Sequence, residues 1–425
     1  MNEASFVHVV YCVMSFRLRL LAGMLSASIL AFPALAADGR SLQILVSKSD
    51  QSLALYENGE IIATSKVSTG KPGHETPSGI FSILEKRKYH ESNIYSAAPM
   101  PFMQRLTWSG IALHEGKVPN YAASHGCVRL PSKFAKSLFG DTRTGVHVII
   151  TDRPVSLRFV QHPALFVPRD DTDDGKLLLS DVELRPATFD AALGAVEVAI
   201  NEKTQSLKPT AKVKDPSPLR ILITRRGERE KVMDIQTVLT RLGFDAGVAD
   251  GYAGEMTISA INGFKRWKGL KTTGPLLTDA FVTALYASAG EDHPPTGQIM
   301  VRQDFKPLFE AAIDIKDPEV ALGTHFFEAV SVDRAAGTAE WNGVTLENHL
   351  PAAAQKRLGI TETEAPGGFD QLSAVLSRVD IPADVRNRIE QELSSGSSIT
   401  VSDISHQLET GTGTDFITVT KEGPM

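Results

Sequence analysis

Closely spaced turn signals constrain this fold more than any other feature of the chain. Residues 42–46 and 52–56 are apolar runs of strand length. Glu57-Asn58-Gly59-Glu60 follows as a hairpin turn, because Asn-Gly accepts the positive φ that a tight two-residue loop demands. Residues 61–67 return as a strand. The stretch Ser68-Thr69-Gly70-Lys71-Pro72-Gly73-His74-Glu75-Thr76-Pro77-Ser78-Gly79-Ile80-Phe81 is rich in turn residues and enters another strand. Strand patterns recur at 108–114 and 146–150, with a short helix from Pro131 to Leu138. Residues 38–153 should therefore form a mostly β domain.

Within that domain lies Ala123-Ser124-His125-Gly126-Cys127-Val128-Arg129-Leu130-Pro131. A thiol is a good nucleophile only as thiolate, and a nearby imidazole is the usual means of making it one. His125 stands two residues before Cys127, and His114 ends the strand run upstream. Gly126 lets the backbone turn beside the sulfur, so that peptide N–H groups of Gly126 and Cys127 could face a developing oxyanion. Arg129 adds a fixed charge able to grip a carboxylate. An inert structural cysteine is the alternative. Metal binding is disfavoured, since one sulfur and two histidines lack the paired spacing of a zinc site. His74 reads as a loop residue.

This window resembles the L,D-transpeptidase (YkuD-type) family, whose signature is an upstream histidine, then Ser/Thr-His-Gly-Cys, an apolar residue, and Asn or Arg. His114 and Ser124-His125-Gly126-Cys127-Val128-Arg129 carry the match. The gap from His114 to Ser124 is shorter than in the commonest family pattern, which suggests a shorter lid loop. The resemblance implies a β-barrel or sandwich with short helices, and a Thr-Pro-x-Gly-x-Phe segment beside the site. It implies catalysis by Cys127 and His114, with the ring oriented by the residue after it, Glu115, through its backbone carbonyl. Ser124, His125, Gly126 and Arg129 would shape the loop, stabilise the oxyanion or bind substrate. Neither metal nor organic cofactor is implied.

The 425 residues suffice for two or three domains. Net charge is −6 with no basic block, so nucleic acid is not an expected partner. Arg17 and Arg19 precede an apolar run over 20–32, and Ala34-Leu35-Ala36 supplies a small-x-small cleavage pattern. Residues 1–36 thus read as a signal peptide starting at Met1 or Met14, with no stable membrane span after cleavage. Cys12 would leave with it. Cys127 would then be the one cysteine of an exported chain, without an intramolecular disulfide partner. A lone thiol exposed to oxidants favours a chemical role. Residues 154–217, with the acidic run 170–174, read as a partly disordered linker with a possible strand at 196–200.

The second half reads as a degenerate copy of the first, over 218–227 and 296–425. Residues 108–114 reappear as 341–347, with Glu347 where His114 stood. Leu130-Pro131 reappears as Ile381-Pro382, followed at the same spacing by Gly145 and Gly396. Lacking a cysteine, this copy cannot perform thiol chemistry. Between its first strands sits an insert, 228–290, expected to hold three helices: 232–242, with a stripe Val232, Ile235, Leu239 and Leu242; 257–267, with Ile258, Ile261 and Phe264; and 278–286. Leu242-Gly243-Phe244, Asp250-Gly251-Tyr252-Ala253-Gly254 and Thr273-Gly274 punctuate it. This insert is similar to the three-helix peptidoglycan-binding domain family.

Together the two resemblances imply a periplasmic enzyme of peptidoglycan. A tetrapeptide stem would be the acyl donor, and a stem amine, an outer-membrane protein N-terminus or water the acceptor. Trimming by an L,D-carboxypeptidase, or a non-catalytic wall-binding scaffold, are the alternatives.

Overall fold

The structure, a computed structural model, describes residues 41–92, 97–169, 216–363, 371–404, 410–411 and 413–421. The expected leader, the acidic run 170–174 and the strand at 196–200 lie outside these. The apolar runs become β1 (Leu42–Ser47), β2 (Ser52–Glu57) and β3 (Glu60–Lys66), an antiparallel meander turned at Asn58-Gly59, where φ is 50° and 87°. β4 (Ser78–Ser82) and β9 (His147–Thr151) join on the other side, with β9 parallel to β1.

Both faces of this sheet are covered, so its central strands read as continuous rather than alternating apolar runs. Ile44, Val46, Phe81, Val148 and Ile150 face one core together with Ala135 and Leu138 of α1 (Ser132–Asp141). Leu45, Ile80 and Ile149 face the opposite way, against Phe326, Val344 and Leu346 of the second half. A separate four-stranded sheet carries β5 (Glu85–Arg87), β6 (Met103–Arg105), β7 (Ala112–Glu115) and β8 (Val128–Leu130) in that order.

The second half repeats the first. β11 (Leu219–Arg225), β12 (Gly297–Gln303), β13 (Lys306–Ile315), β14 (Thr324–Asp333) and β17 (Ser398–Ser402) are ordered β14-β17-β11-β12-β13, matching β4-β9-β1-β2-β3. β17 runs parallel to β11, as β9 does to β1. Pro382 caps α7 (Ala383–Glu392) as Pro131 caps α1. One expected equivalence fails. β15 (Thr338–Leu346) pairs along β14 in the large sheet, whereas β7 lies in the small one. Glu347 therefore does not occupy the place of His114; it sits past the end of β15, facing Arg153 at 3.5 Å. The residue four before Pro382, as Cys127 is four before Pro131, is Arg378. It follows α6 (Gln371–Ser377), and its guanidinium donates to the carbonyls of Lys316, Asp317, Val320 and Ala321 at 2.7–3.2 Å.

The two halves exchange strands. β10 (Arg158–Val160) leaves the first half and pairs with β15, while β18 (Thr418–Lys421) returns from the far end of the chain to pair with β4. Residues 154–169 are thus a packed strap rather than free linker: Phe166 is fully buried, and its carbonyl accepts from Trp341 Nε1 at 3.0 Å.

The insert forms α2 (Glu228–Arg241), α3 (Glu255–Trp267) and α4 (Asp279–Ala289) around Ile235, Leu239, Ile261, Phe264, Phe281 and Leu285. Ile258, expected in the apolar stripe, is instead 39% exposed; Thr257 and Ala260 face inward. Buried Gln236 pins the Asp-Gly loop, donating to Asp250 Oδ1 and Tyr252 O and accepting from Gly251 N–H. Gly251 needs φ +80°, and a Cβ there would meet Arg229 at 2.4 Å. No helix among the described residues is long and apolar enough to cross a membrane.

One buried polar chain ties the halves. His147 Nδ1 donates to Glu328 Oε2 at 2.8 Å, and Ser398 Oγ lies 3.2 Å from Nε2. Ser41 also donates to Glu328. Burial and the Arg220 charge lower the His147 pKa, so the ring is neutral: Nδ1 carries the proton and Nε2 accepts from Ser398. Glu328→Ala leaves a buried donor unpaired and should cost about 1–3 kcal/mol in urea unfolding. Because the native ring resists protonation, the unfolded chain binds the proton first. Stability should therefore fall as pH drops below about 6.5, measurable as a declining melting temperature.

Candidate active site

β7 and β8 pair in parallel, with Leu113 opposite Val128 and His114 opposite Arg129. Leu113, Val128 and Leu130 are fully buried in the first core. Strand side chains alternate, so Ala112, His114, Cys127 and Arg129 share the opposite face. Cys127 is half-buried there, against Met100, Met103 and Ala112. Its sulfur donates to Gly110 O at 3.4 Å and accepts the Ala112 N–H.

His114 Nδ1 lies 2.7 Å from Glu115 O. A carbonyl only accepts, so Nδ1 holds the proton and Nε2 presents a lone pair. This is the orienting contact the resemblance implied. Burial takes the His114 pKa down to about 4, against the Glu115 hydrogen bond. Burial also pushes the Cys127 thiol up, outweighing the Ala112 N–H and the charges of Arg129 and Arg105. At neutral pH the pair is therefore a neutral imidazole and a thiol, not a preformed ion pair. Among the described residues no hydrogen bond joins them; apo contacts of this kind tighten on substrate binding.

The loop before the cysteine is held from within. Ser124 Oγ donates to Cys127 O at 2.5 Å and accepts the Gly126 N–H at 3.1 Å. The Gly126 N–H is thus engaged inside the loop, and the Cys127 N–H is the other candidate oxyanion donor. Gly126 adopts φ +111°, and a Cβ there would meet Ile111 at 2.9 Å. His125 is exposed, its ring edge-on to His74 with centroids 4.8 Å apart. Arg129 is half-buried, and its guanidinium forms no ion pair among the described residues. Its backbone exchanges hydrogen bonds with Ser68 at 2.9 and 3.0 Å.

Three further residues bear on the site, of which sequence reasoning missed Arg105 and the specific contact made by Thr76. Thr76, inside the Thr-Pro turn, donates to Gly126 O at 2.6 Å and accepts the Gly70 N–H at 2.8 Å, clamping the cysteine loop. His74, taken as a loop residue, lines the rim through His125. Arg105 on β6 bears on the sulfur's charge; only pairing across strands reveals it. Met100 and Met103 supply the apolar wall against which Cys127 packs. Elsewhere, Asp152, Glu347 and His349 bring donor atoms within 4.8 Å of one another. Asp152 already pairs with Lys48 at 2.6 Å and Lys421 at 3.0 Å, so the group reads as an ion-pair network rather than a metal site.

Residues 41–150 match the family model of the YkuD L,D-transpeptidase catalytic domain. Residues 228–276 match a peptidoglycan binding domain model. L,D-transpeptidase 1 of Mycobacterium tuberculosis is 28% identical over 124 residues, covering 25% of this chain and 49% of that protein. The chain thus spans about half the length of the curated relatives it matches. Among solved structures, an L,D-transpeptidase from Stackebrandtia nassauensis is 28% identical with a TM-score of 0.25, covering 27% of this chain and 57% of that one. The structure of Mycobacterium tuberculosis L,D-transpeptidase 1 is 25% identical with a TM-score of 0.23, covering 26% and 62%.

Thr76→Val keeps the shape of the clamp but removes its hydroxyl. The domain should lose about 1–3 kcal/mol in urea unfolding, and Cys127 alkylation should slow several-fold as the loop loosens.

Proposed function

We propose that the L,D-transpeptidase domain transfers acyl groups on peptidoglycan stem peptides, with Cys127 as nucleophile and His114 as base. The observation that carries this reading is the 2.7 Å contact from His114 Nδ1 to Glu115 O, which leaves Nε2 unprotonated on the same face as the thiol. His114 Nε2 takes the thiol proton as the sulfur attacks the carbonyl of the L-centre of diaminopimelate in a tetrapeptide. The Cys127 N–H faces the oxyanion. Collapse expels the terminal D-residue as an amine, protonated by His114, and leaves a thioester. An amine of a second stem then attacks, restoring the thiol and giving a 3–3 cross-link. A protein N-terminus or water are the other acceptors of the same thioester. The match of the helical insert to a peptidoglycan binding domain supports the wall as substrate. We read the second half as a non-catalytic partner, since Arg378 stands where the thiol would be.

Cys127→Ala should abolish turnover and labelling by a carbapenem-type β-lactam. Mass spectrometry of products from a disaccharide-tetrapeptide checks it: dimers mean transfer, tripeptides mean trimming, and unchanged substrate with the wild-type protein means binding only. Since His114 must be neutral to accept a proton, acylation should hold steady down to about pH 5 and fall as pH drops through about 4, the value at which its ring protonates. The rate of β-lactam acylation against pH measures this, and His114→Ala should remove the step.

A further inference from the structure

The four short strands of the small sheet line up one row of chemistry. Register sets Glu85 opposite Arg105 and Arg105 opposite Ala112. The β7–β8 register, carried one residue back from Leu113 and Val128, sets Ala112 beside Cys127. The row therefore reads carboxylate, guanidinium, methyl, thiol. It lies on the face opposite Gln104, Leu113 and Val128, all fully buried. Arg105 is held in place there. Its Nε meets Glu85 Oε2 at 2.8 Å, and its NH2 group donates to His90 Nε2 at 3.4 Å. Its guanidinium lies 5.6 Å from the centroid of the Trp108 ring. Only 12% of the side chain is exposed, so its charge is weakly screened. Ala112 is the one residue between it and the sulfur, and a methyl leaves the line open.

We propose that Arg105, fixed by Glu85 and acting across Ala112, is a positioning residue that stabilises the thiolate of Cys127. This rests on the reading of Cys127 as nucleophile. The need for such a cation follows from the rest of the pocket. Met100 and Met103 offer the sulfur no charge, and burial opposes ionisation. The other groups facing it are His114, neutral at pH 7, and Arg129, which stands in the neighbouring row opposite His114. When His114 takes the proton, the sulfur's negative charge develops in the field of Arg105, along its own row, and of Arg129, in the next row. The carboxylate of Glu85, at the far end of the row, sets how much of the Arg105 charge remains.

The test is the pH profile of Cys127 alkylation by iodoacetamide in the full-length protein, with Cys127→Ala as the blank. Arg105→Gln should move the profile midpoint about one pH unit higher, which leaves about tenfold less thiolate below both midpoints. Glu85→Gln keeps an amide oxygen for Arg105 Nε but removes the opposing charge, so its midpoint should fall; it tests the same field should Arg105→Gln not fold. An unchanged midpoint in Arg105→Gln, or a raised one in Glu85→Gln, overturns the proposal. Product formation from disaccharide-tetrapeptide is scored separately. Cross-linking that survives in Cys127→Ala would reject the nucleophile while leaving the alkylation result to stand on its own.

Discussion

The parallel pairing of β7 with β8 is the contact on which the site depends. It joins two segments separated by the loop before Cys127 and sets which side chains look outward. One residue of slippage by either strand would turn its His114 or Cys127 toward the core and take its Leu113 or Val128 out of it. That slip is opposed by the apolar burial of Leu113, Val128 and Leu130 against α1 and β9. The geometry of the reacting groups is thus held by atoms that take no part in the reaction.

The cysteine loop is then made rigid by polar contacts within a small radius. Ser124 closes the loop on itself, Thr76 clamps it from the neighbouring turn, and Ser68 pairs with Arg129 behind it. Each is a satisfied hydrogen bond in a partly dry setting, where an unpaired group would be costly. The same dryness keeps imidazole and thiol neutral at rest. Under the proposed mechanism charge separates only at the moment of attack, with the charges of Arg129 and Arg105 nearby.

The second half packs against the first and pairs strands with it. The order of the five-stranded sheet survives, while the small sheet has no counterpart among the described residues; Arg378 stands four residues before Pro382, and its guanidinium fills the turn with four carbonyl contacts. The exchange of β10 and β18, with the apolar layer of Leu45, Ile149, Phe326 and Leu346, makes the halves mutually dependent. The catalytic sheet would otherwise present an open edge at β4 and a bare apolar face, both of which invite aggregation.

Local chemistry decided what the sequence by itself determined. Asn58-Gly59 specified the hairpin, Pro131 and Pro382 opened their helices, and Ser124-His125-Gly126-Cys127 with His114 marked the candidate site, whose orienting carbonyl only the family resemblance implied. These signals act over a few residues, so they are written in consecutive letters. The tertiary structure decided what depends on partners far apart in the chain. It spent the Gly126 N–H inside the loop, moved residues 341–347 into the large sheet, turned Ile258 outward, set Arg105 in the row of Ala112 and Cys127, and brought Thr76 against the carbonyl of Gly126. No spacing in one segment encodes such contacts, because strand register and packing between distant segments are settled only when both faces of a sheet find their cover.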